Sequence, residues 1–315
     1  MTDPVVVDVV RGGMVESVHR ARLVVTGPDG EVRFGLGAYE APMFPRSATK
    51  PMQAVAMLEA GLDLDGRLLA LAAASHAGEP FHLDGVREIL AGAGLSADDL
   101  QNTPDYPLDE SARVDWIRSG RGKEPIAQNC SGKHAAMLRT CVRAGWDTAT
   151  YRDPGHPLHR RVREVVGRLA DGPVTDPSVD GCGAPVFGTS LVGLARSYGR
   201  IAGATDGPEA AVAAAYRDFP AYPSGSTRDE RALHEAVPGL VCKGGAEAVL
   251  AGGLPDGTGI ALKMADGMGR GRTELFVAVL RVLGVESSGL DPLASTPVLG
   301  HGEPVGAVLV RILEL

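Results

Sequence analysis

The chain has 315 residues, 44% hydrophobic and 22% charged, with a formal net charge of -8. This is enough for a large buried core in one or two domains and too apolar for a disordered chain. Only 4% of residues are aromatic and the charge is negative, so nucleic-acid binding is not expected, and 42 glycines without a G-X-Y period exclude collagen.

The chain opens in strands. Val5 to Val10 is β-branched, Val15 to Thr26 largely alternates, and Gly27-Pro28-Asp29-Gly30 signals a turn before Glu31 to Leu36. From about residue 45 apolar residues recur three and four apart. This predicts helices over 51–60, 66–74, 81–90, 111–119, 133–144, 157–169, 186–197 and 208–218. Strands return at 259–264 and 306–311, with a helix at 273–283 between them. The expected domain is α+β, with one sheet from both chain ends (about 1–44 and 258–315) and a helical subdomain over about 45–257. Gly267-Met268-Gly269-Arg270-Gly271-Arg272 carries arginine where a dinucleotide fingerprint needs its last glycine, so no Rossmann site is expected.

The longest apolar stretch, Leu68 to Ala74, is too short to cross a bilayer. The first residues show no basic region of a secretory signal. The four cysteines, Cys130, Cys141, Cys182 and Cys242, have no C-x-x-C spacing and read as free thiols of a cytoplasmic protein. Of 31 basic residues only five are lysine: Lys50, Lys123, Lys133, Lys243 and Lys263. Arginine meets the ordinary need for surface cations here. Each lysine, which can lose its proton where arginine cannot, is therefore a candidate for chemistry.

Five segments could carry that chemistry. In Arg46-Ser47-Ala48-Thr49-Lys50-Pro51, Ser47 and Lys50 are three apart near a helix start that Pro51 tolerates. A lysine could there take the serine proton; the alternative is an N-cap serine beside a solvated lysine. Ser75 and His76 end a very apolar helix, and Cys130, Lys133 and His134 offer metal-ligating atoms at another helix start. Among these, Cys and His are the ordinary ligands and a neutral amine an unusual one. Asp180-Gly181-Cys182-Gly183 reads as tight backbone near a site, and Lys263 stands alone in an apolar strand. An edge-strand lysine that blocks aggregation is the alternative for Lys263.

In order and content these segments resemble the rhizobial-type L-asparaginases, also called thermolabile or class 3, over nearly the whole chain from Val10-Arg11-Gly12-Gly13 onward. That family is similar in fold to serine β-lactamases, penicillin-binding proteins and serine-dependent glutaminases. The resemblance implies hydrolysis of L-asparagine by two serine-lysine pairs, Ser47 with Lys50 and Ser75 with Lys263. It implies a Zn2+ on Cys130, Lys133 and Cys182, with Asp180 and His134 supporting the metal or the substrate and Arg46 on the substrate carboxylate. It further implies a homodimer; composition and the short apolar runs leave no nucleic-acid or membrane partner expected, and the free thiols place the protein in the cytoplasm. A glutaminase or β-lactam-acylating peptidase would use the same S-x-x-K logic, and a non-catalytic zinc-stabilised sensor is the more distant alternative.

Overall fold

The computed structural model describes residues Asp3–Arg311. In chain order the elements are β1 (Val5–Arg11), β2 (Met14–Thr26), β3 (Val32–Leu36), a 3-10 turn (Arg46–Thr49), α1 (Lys50–Glu59), α2 (Gly66–Ala72), α3 (Pro80–Ala91), α4 (Glu110–Arg118) and α5 (Ser131–Ala144). Next come α6 (Pro157–Ala170), β4 (Ser178–Val179), β5 (Pro185–Val186), α7 (Leu191–Gly203), α8 (Gly207–Asp218) and α9 (Asp229–Ala236). The last stretch holds β6 (Val241–Gly245), β7 (Val249–Gly253), β8 (Gly259–Met264), α10 (Arg272–Val282), β9 (Pro297–Gly300) and β10 (Glu303–Val310).

Two compact units result. A sheet unit takes the residues up to Ala48, Ser190–Gly203 and the chain from Ala232 on; a helical unit takes Thr49–Thr189 and Ala204–Arg231. The expected division, with the whole of 45–257 helical, is corrected here. The strands β6 and β7 and the helix α7 lie inside that span and belong to the sheet unit.

Among the described residues eight strands form one sheet in the order β6-β7-β8-β2-β1-β10-β9, with β3 on the far half of β2, and every pairing is antiparallel. Both chain ends contribute, as expected. One face carries the alternate apolar residues Leu23, Val25, Leu250, Ile260 and Leu262, packed with Phe276 and Leu280 of α10 in the core.

The other face of β7 and β8 is covered by α7 at backbone distance. A Cβ on Gly253 would run into the Tyr198 carbonyl, and one on Gly259 into that of Ala195. Helix and strand meet this closely only because those positions have no side chain. Gly259→Ala is therefore expected to cost about 1–3 kcal/mol through overpacking. A lowered urea midpoint would show it, and an unchanged one would mean that α7 can retreat freely.

In the helical unit α5 crosses α2 just as tightly, since a Cβ on Gly132 would lie 2.6 Å from the Leu71 carbonyl oxygen. The stripe Leu158, Val162, Val165 and Leu169 turns α6 inward. The expected helix over 186–197 is instead the end of β5, a linker, and α7 beginning at Leu191. No helix among the described residues is long and apolar enough to cross a membrane.

Candidate active site

In the helical unit the chemistry gathers around Lys50. Pro51 has no N–H to lose in a first turn, so α1 opens at Lys50 and buries its side chain to 1% exposure. Ser75 follows the end of α2, where its N–H donates to the Pro223 carbonyl (3.1 Å) and the next N–H, of His76, to that of Asn129 (3.0 Å). These bonds fix the turn so that the Lys50 amine donates to Ser75 Oγ at 2.9 Å, to the Ala74 carbonyl, and to Cys130 Sγ at 3.1 Å. A buried amine with three acceptors is satisfied as a donor. It is also placed to exchange a proton with the serine hydroxyl.

The sulfur end of that network is a second cluster. Cys130 stands at the N-cap of α5, with its N–H held by Gln128 Oε1 (2.9 Å). Cys182 sits at the tip of the β4–β5 hairpin, whose tight turn needs the left-handed Gly183 (φ 87°). The Lys133 amine donates to Cys182 Sγ at 3.2 Å, and Cys130, Cys182 and Ala184 form a small buried core of their own.

The Cys130 thiol donates to Asn129 Oδ1 at 3.0 Å. The interaction of the two buried sulfurs is the first cause that holds Cys182 down near a pKa of about 4 and, with burial, pushes Cys130 up to about 12. Burial works against a charged Lys133, but the Cys182 and Cys130 sulfurs outweigh it and hold the amine above the usual lysine range. Among the described residues no three His, Cys, Asp or Glu side chains gather as a metal site. Any site here would thus use the two sulfurs with the Lys133 amine as third donor. That set suits a soft-accepting ion such as Zn2+, whose binding would displace protons from sulfur and amine.

Neutral histidines flank both clusters. His134 donates or accepts at 2.8 Å with the Tyr151 hydroxyl through Nδ1, while its buried Nε2 has no hydrogen-bond partner among the described residues. His76 meets Ser131 Oγ at 2.8 Å. Burial first, then His82 and Lys50 for His76 and Lys133 for His134, push both histidines well below their ordinary pKa. Asp180 sits half-buried in the β4–β5 turn and accepts from the Gly181 N–H at 2.8 Å.

The sheet unit carries Arg46 and Ser47, both half-buried, in the 3-10 turn. Arg46 has φ 55°, an uncommon left-handed backbone for a residue with a side chain. The Ser47 hydroxyl has no hydrogen-bond partner among the described residues. Two contacts brace this turn. The Tyr198 hydroxyl donates to the Ala48 carbonyl at 2.8 Å, and Gly245 of β6 lies so near that a Cβ would collide with the Pro45 carbonyl and come 3.2 Å from the Ala48 nitrogen.

Ser75 and Lys263, expected as a pair, each make their hydrogen bonds within their own unit. The lysine on Ser75 is Lys50, whereas Lys263 gives its amine to the Glu247 carbonyl (2.8 Å) and the Met264 carbonyl (3.4 Å). Its strand partners are Val249 and Arg22, so it stands two strands from Gly245.

The sequence profile of the L-asparaginase II family matches residues 7–310. The chain belongs to that family. It is an amidohydrolase of the asparaginase kind. A search of curated proteins finds no match. Among solved structures it is similar to a β-lactamase from Mycobacterium bovis, at 18% identity and a TM-score of 0.48, over 87% of this chain and 95% of that one. It is also similar to the hydrolase EstCE1, which has promiscuous acyltransferase activity, at 12% identity and a TM-score of 0.43, over 80% and 91%.

Against that family background one residue stands out that the sequence reading left without a role. Lys243 is fully buried and donates to the Gly244 carbonyl at 3.0 Å. It lies two residues before Gly245 in β6 and so on the same strand face, the face that Gly245 turns to the Pro45–Ala48 backbone. The scarcity of lysine marks it as a candidate; no motif around it in the sequence does.

Proposed function

We propose that this asparaginase hydrolyses L-asparagine to L-aspartate and ammonia through a β-aspartyl ester on Ser47. The buried Lys50 amine, hydrogen-bonded at 2.9 Å to Ser75, is the observation that carries the reading. Ser47 Oγ attacks the side-chain amide carbon while its proton passes to Lys50, three residues on in the chain. The C–N bond then breaks as the leaving nitrogen takes a proton from Ser75, which Lys50 replenishes. Water adds to the ester and gives its proton to the same pair; the acyl C–Oγ bond then breaks, Lys50 returns a proton to Ser47 Oγ, and aspartate leaves.

Backbone N–H groups of the Ser47 turn and of β6 would stabilise the oxyanion, a contribution worth about 10²–10³ in rate per donor. In the sheet unit Lys243, rather than Lys263, is the lysine assigned to the Ser47 side of the reaction. Arg46 is assigned to the substrate α-carboxylate, with Asp180 and His134 supporting the substrate or the metal.

Cys130, Lys133 and Cys182 would hold a Zn2+, with the amine as third donor. Bound there, the ion would supply Lewis-acid attraction for polar substrate groups, and the serine remains the nucleophile. A cytoplasmic homodimer completes the reading; sedimentation at two protein concentrations tests the dimer.

The decisive assay is ammonia release from L-asparagine and from L-glutamine, with metal-stripped and zinc-reloaded protein. Release from asparagine should dominate, and stripping should raise KM more than it lowers kcat. Equal or faster release from glutamine would make the protein a glutaminase, a change of one methylene in the pocket. No release from folded, zinc-loaded protein would end the proposal.

A further inference from the structure

We infer that Lys263 is a positioning residue for this hydrolysis: its amine holds the strained β6–β7 turn, and that turn sets the backbone against which the Ser47 segment is packed. The inference rests on Ser47 as nucleophile.

The turn consists of Ala246, Glu247 and Ala248. Glu247 (φ 60°) and Ala248 (φ 54°) both lie in the left-handed region. One such residue with a side chain is uncommon, and two in succession persist only where surrounding structure over-determines them. The over-determination comes from β8. Lys263 Nζ donates to the Glu247 carbonyl at 2.8 Å and the Met264 N–H to the Ala248 carbonyl at 3.3 Å, so each strained residue is held by its oxygen.

Lys263 is also in register with Val249, the first residue past the turn. Behind the turn, the left-handed Gly267 leaves room for the Glu247 carboxylate, which a Cβ there would approach to 2.5 Å.

On its other side the turn continues from Gly245, the residue in backbone contact with Pro45 and Ala48. A displacement of the turn passes through Gly245 to the two residues that bracket Arg46 and Ser47. Arg46 is itself left-handed, so this segment has little slack. Burial lowers the pKa of Lys263, but an amine donates an N–H to a carbonyl whether or not it is charged, so the hold does not depend on its titration.

The test measures kcat and KM for asparagine in wild type, Lys263→Met, Lys263→Arg, and Lys263→Met carrying Glu247→Gly and Ala248→Gly. Lys263→Met should lose about 10²-fold in kcat, the usual consequence of a misplacement near 1 Å, with KM changed less than about threefold. Lys263→Arg should recover part of the loss. The two glycines, which adopt left-handed backbone unaided, should restore most of the rest.

An unchanged kcat in Lys263→Met overturns the inference. Failure of the glycines to rescue, with a limb lost from the kcat–pH profile, would overturn it in favour of a proton-transferring lysine. If Lys263→Met does not fold, the glycine-background variant decides: folded and active supports the inference, folded and inactive removes it. Wild type inert toward asparagine would sink the reading of the site, whereas active wild type beside an equally active Lys263→Met removes the positioning role alone.

Discussion

Replacing Ser47 with alanine is expected to lower kcat for asparagine by about 10⁴-fold or more, because loss of a covalent nucleophile removes the pathway instead of slowing it. The same change should shift the thermal midpoint by no more than about 2 °C, since the half-buried hydroxyl has no hydrogen-bond partner among the described residues. The comparison that gives this result meaning is Ser75→Ala. Ser75 accepts from the Lys50 amine, which would keep the Ala74 carbonyl and Cys130 Sγ as acceptors after the change.

Loss of a proton relay typically costs about 10²–10⁴ in rate. Ser75→Ala should accordingly form the ester slowly, because ammonia leaves in that step, and hydrolyse it more slowly still, because water gives its proton to the same pair. Mass spectrometry after incubation with asparagine should place a β-aspartyl adduct on the peptide containing Ser47 in Ser75→Ala and find none in Ser47→Ala. An adduct on the peptide containing Ser75, with substantial turnover left in Ser47→Ala, would exchange the roles of the two serines.

Much of this architecture is legible in the sequence because the local pattern and the tertiary need coincide. β1 and β2 are β-branched and alternate where one face is buried, and Gly27 to Gly30 turn where the chain reverses into β3. β6 and β7 are not legible, because Lys243-Gly244-Gly245 and Ala251-Gly252-Gly253 have the composition of a loop. Their glycines exist for contacts with segments remote in sequence: Gly253 with Tyr198, and Gly245 with Pro45 and Ala48. Intrinsic propensity opposes a strand there and packing overrides it.

The site divides in the same way. The Ser47–Lys50 spacing is local and visible. The meeting of Lys50 with Ser75 and Cys130, 25 and 80 residues away along the chain, is a product of the fold. Lysine scarcity does carry real information, since Lys50, Lys133 and Lys243 are all buried while Lys123 is exposed. Burying a lysine is costly unless the structure compensates it or uses it. What scarcity cannot do is assign each lysine its partner: the carbonyls of Gly244 for Lys243, and of Glu247 and Met264 for Lys263, are set by the fold.

Lys50→Met separates the proposed base from the sulfur cluster to which its amine also donates. Methionine nearly matches the buried side chain in length and shape, so little cavity should result. The change leaves Ser75 Oγ and the Ala74 carbonyl without their buried donor, which costs about 1–3 kcal/mol and is partly offset by removing a buried amine. Activity should suffer far more than stability, with kcat lower by about 10³-fold or more for a missing base. Combined with Ser47→Ala it should add almost nothing, because both residues serve the same step.

Lys133→Met provides the contrast. Lys133 donates to Cys182 Sγ and not to a serine, so its loss should appear as zinc released on dialysis and a raised KM, with kcat at saturation much less affected. Lys50 also donates to Cys130 Sγ, which makes the comparison a sharp one. If zinc content fell as steeply in Lys50→Met as in Lys133→Met, both lysines would be serving the sulfur cluster, and the base would have to be sought elsewhere, first at Lys243.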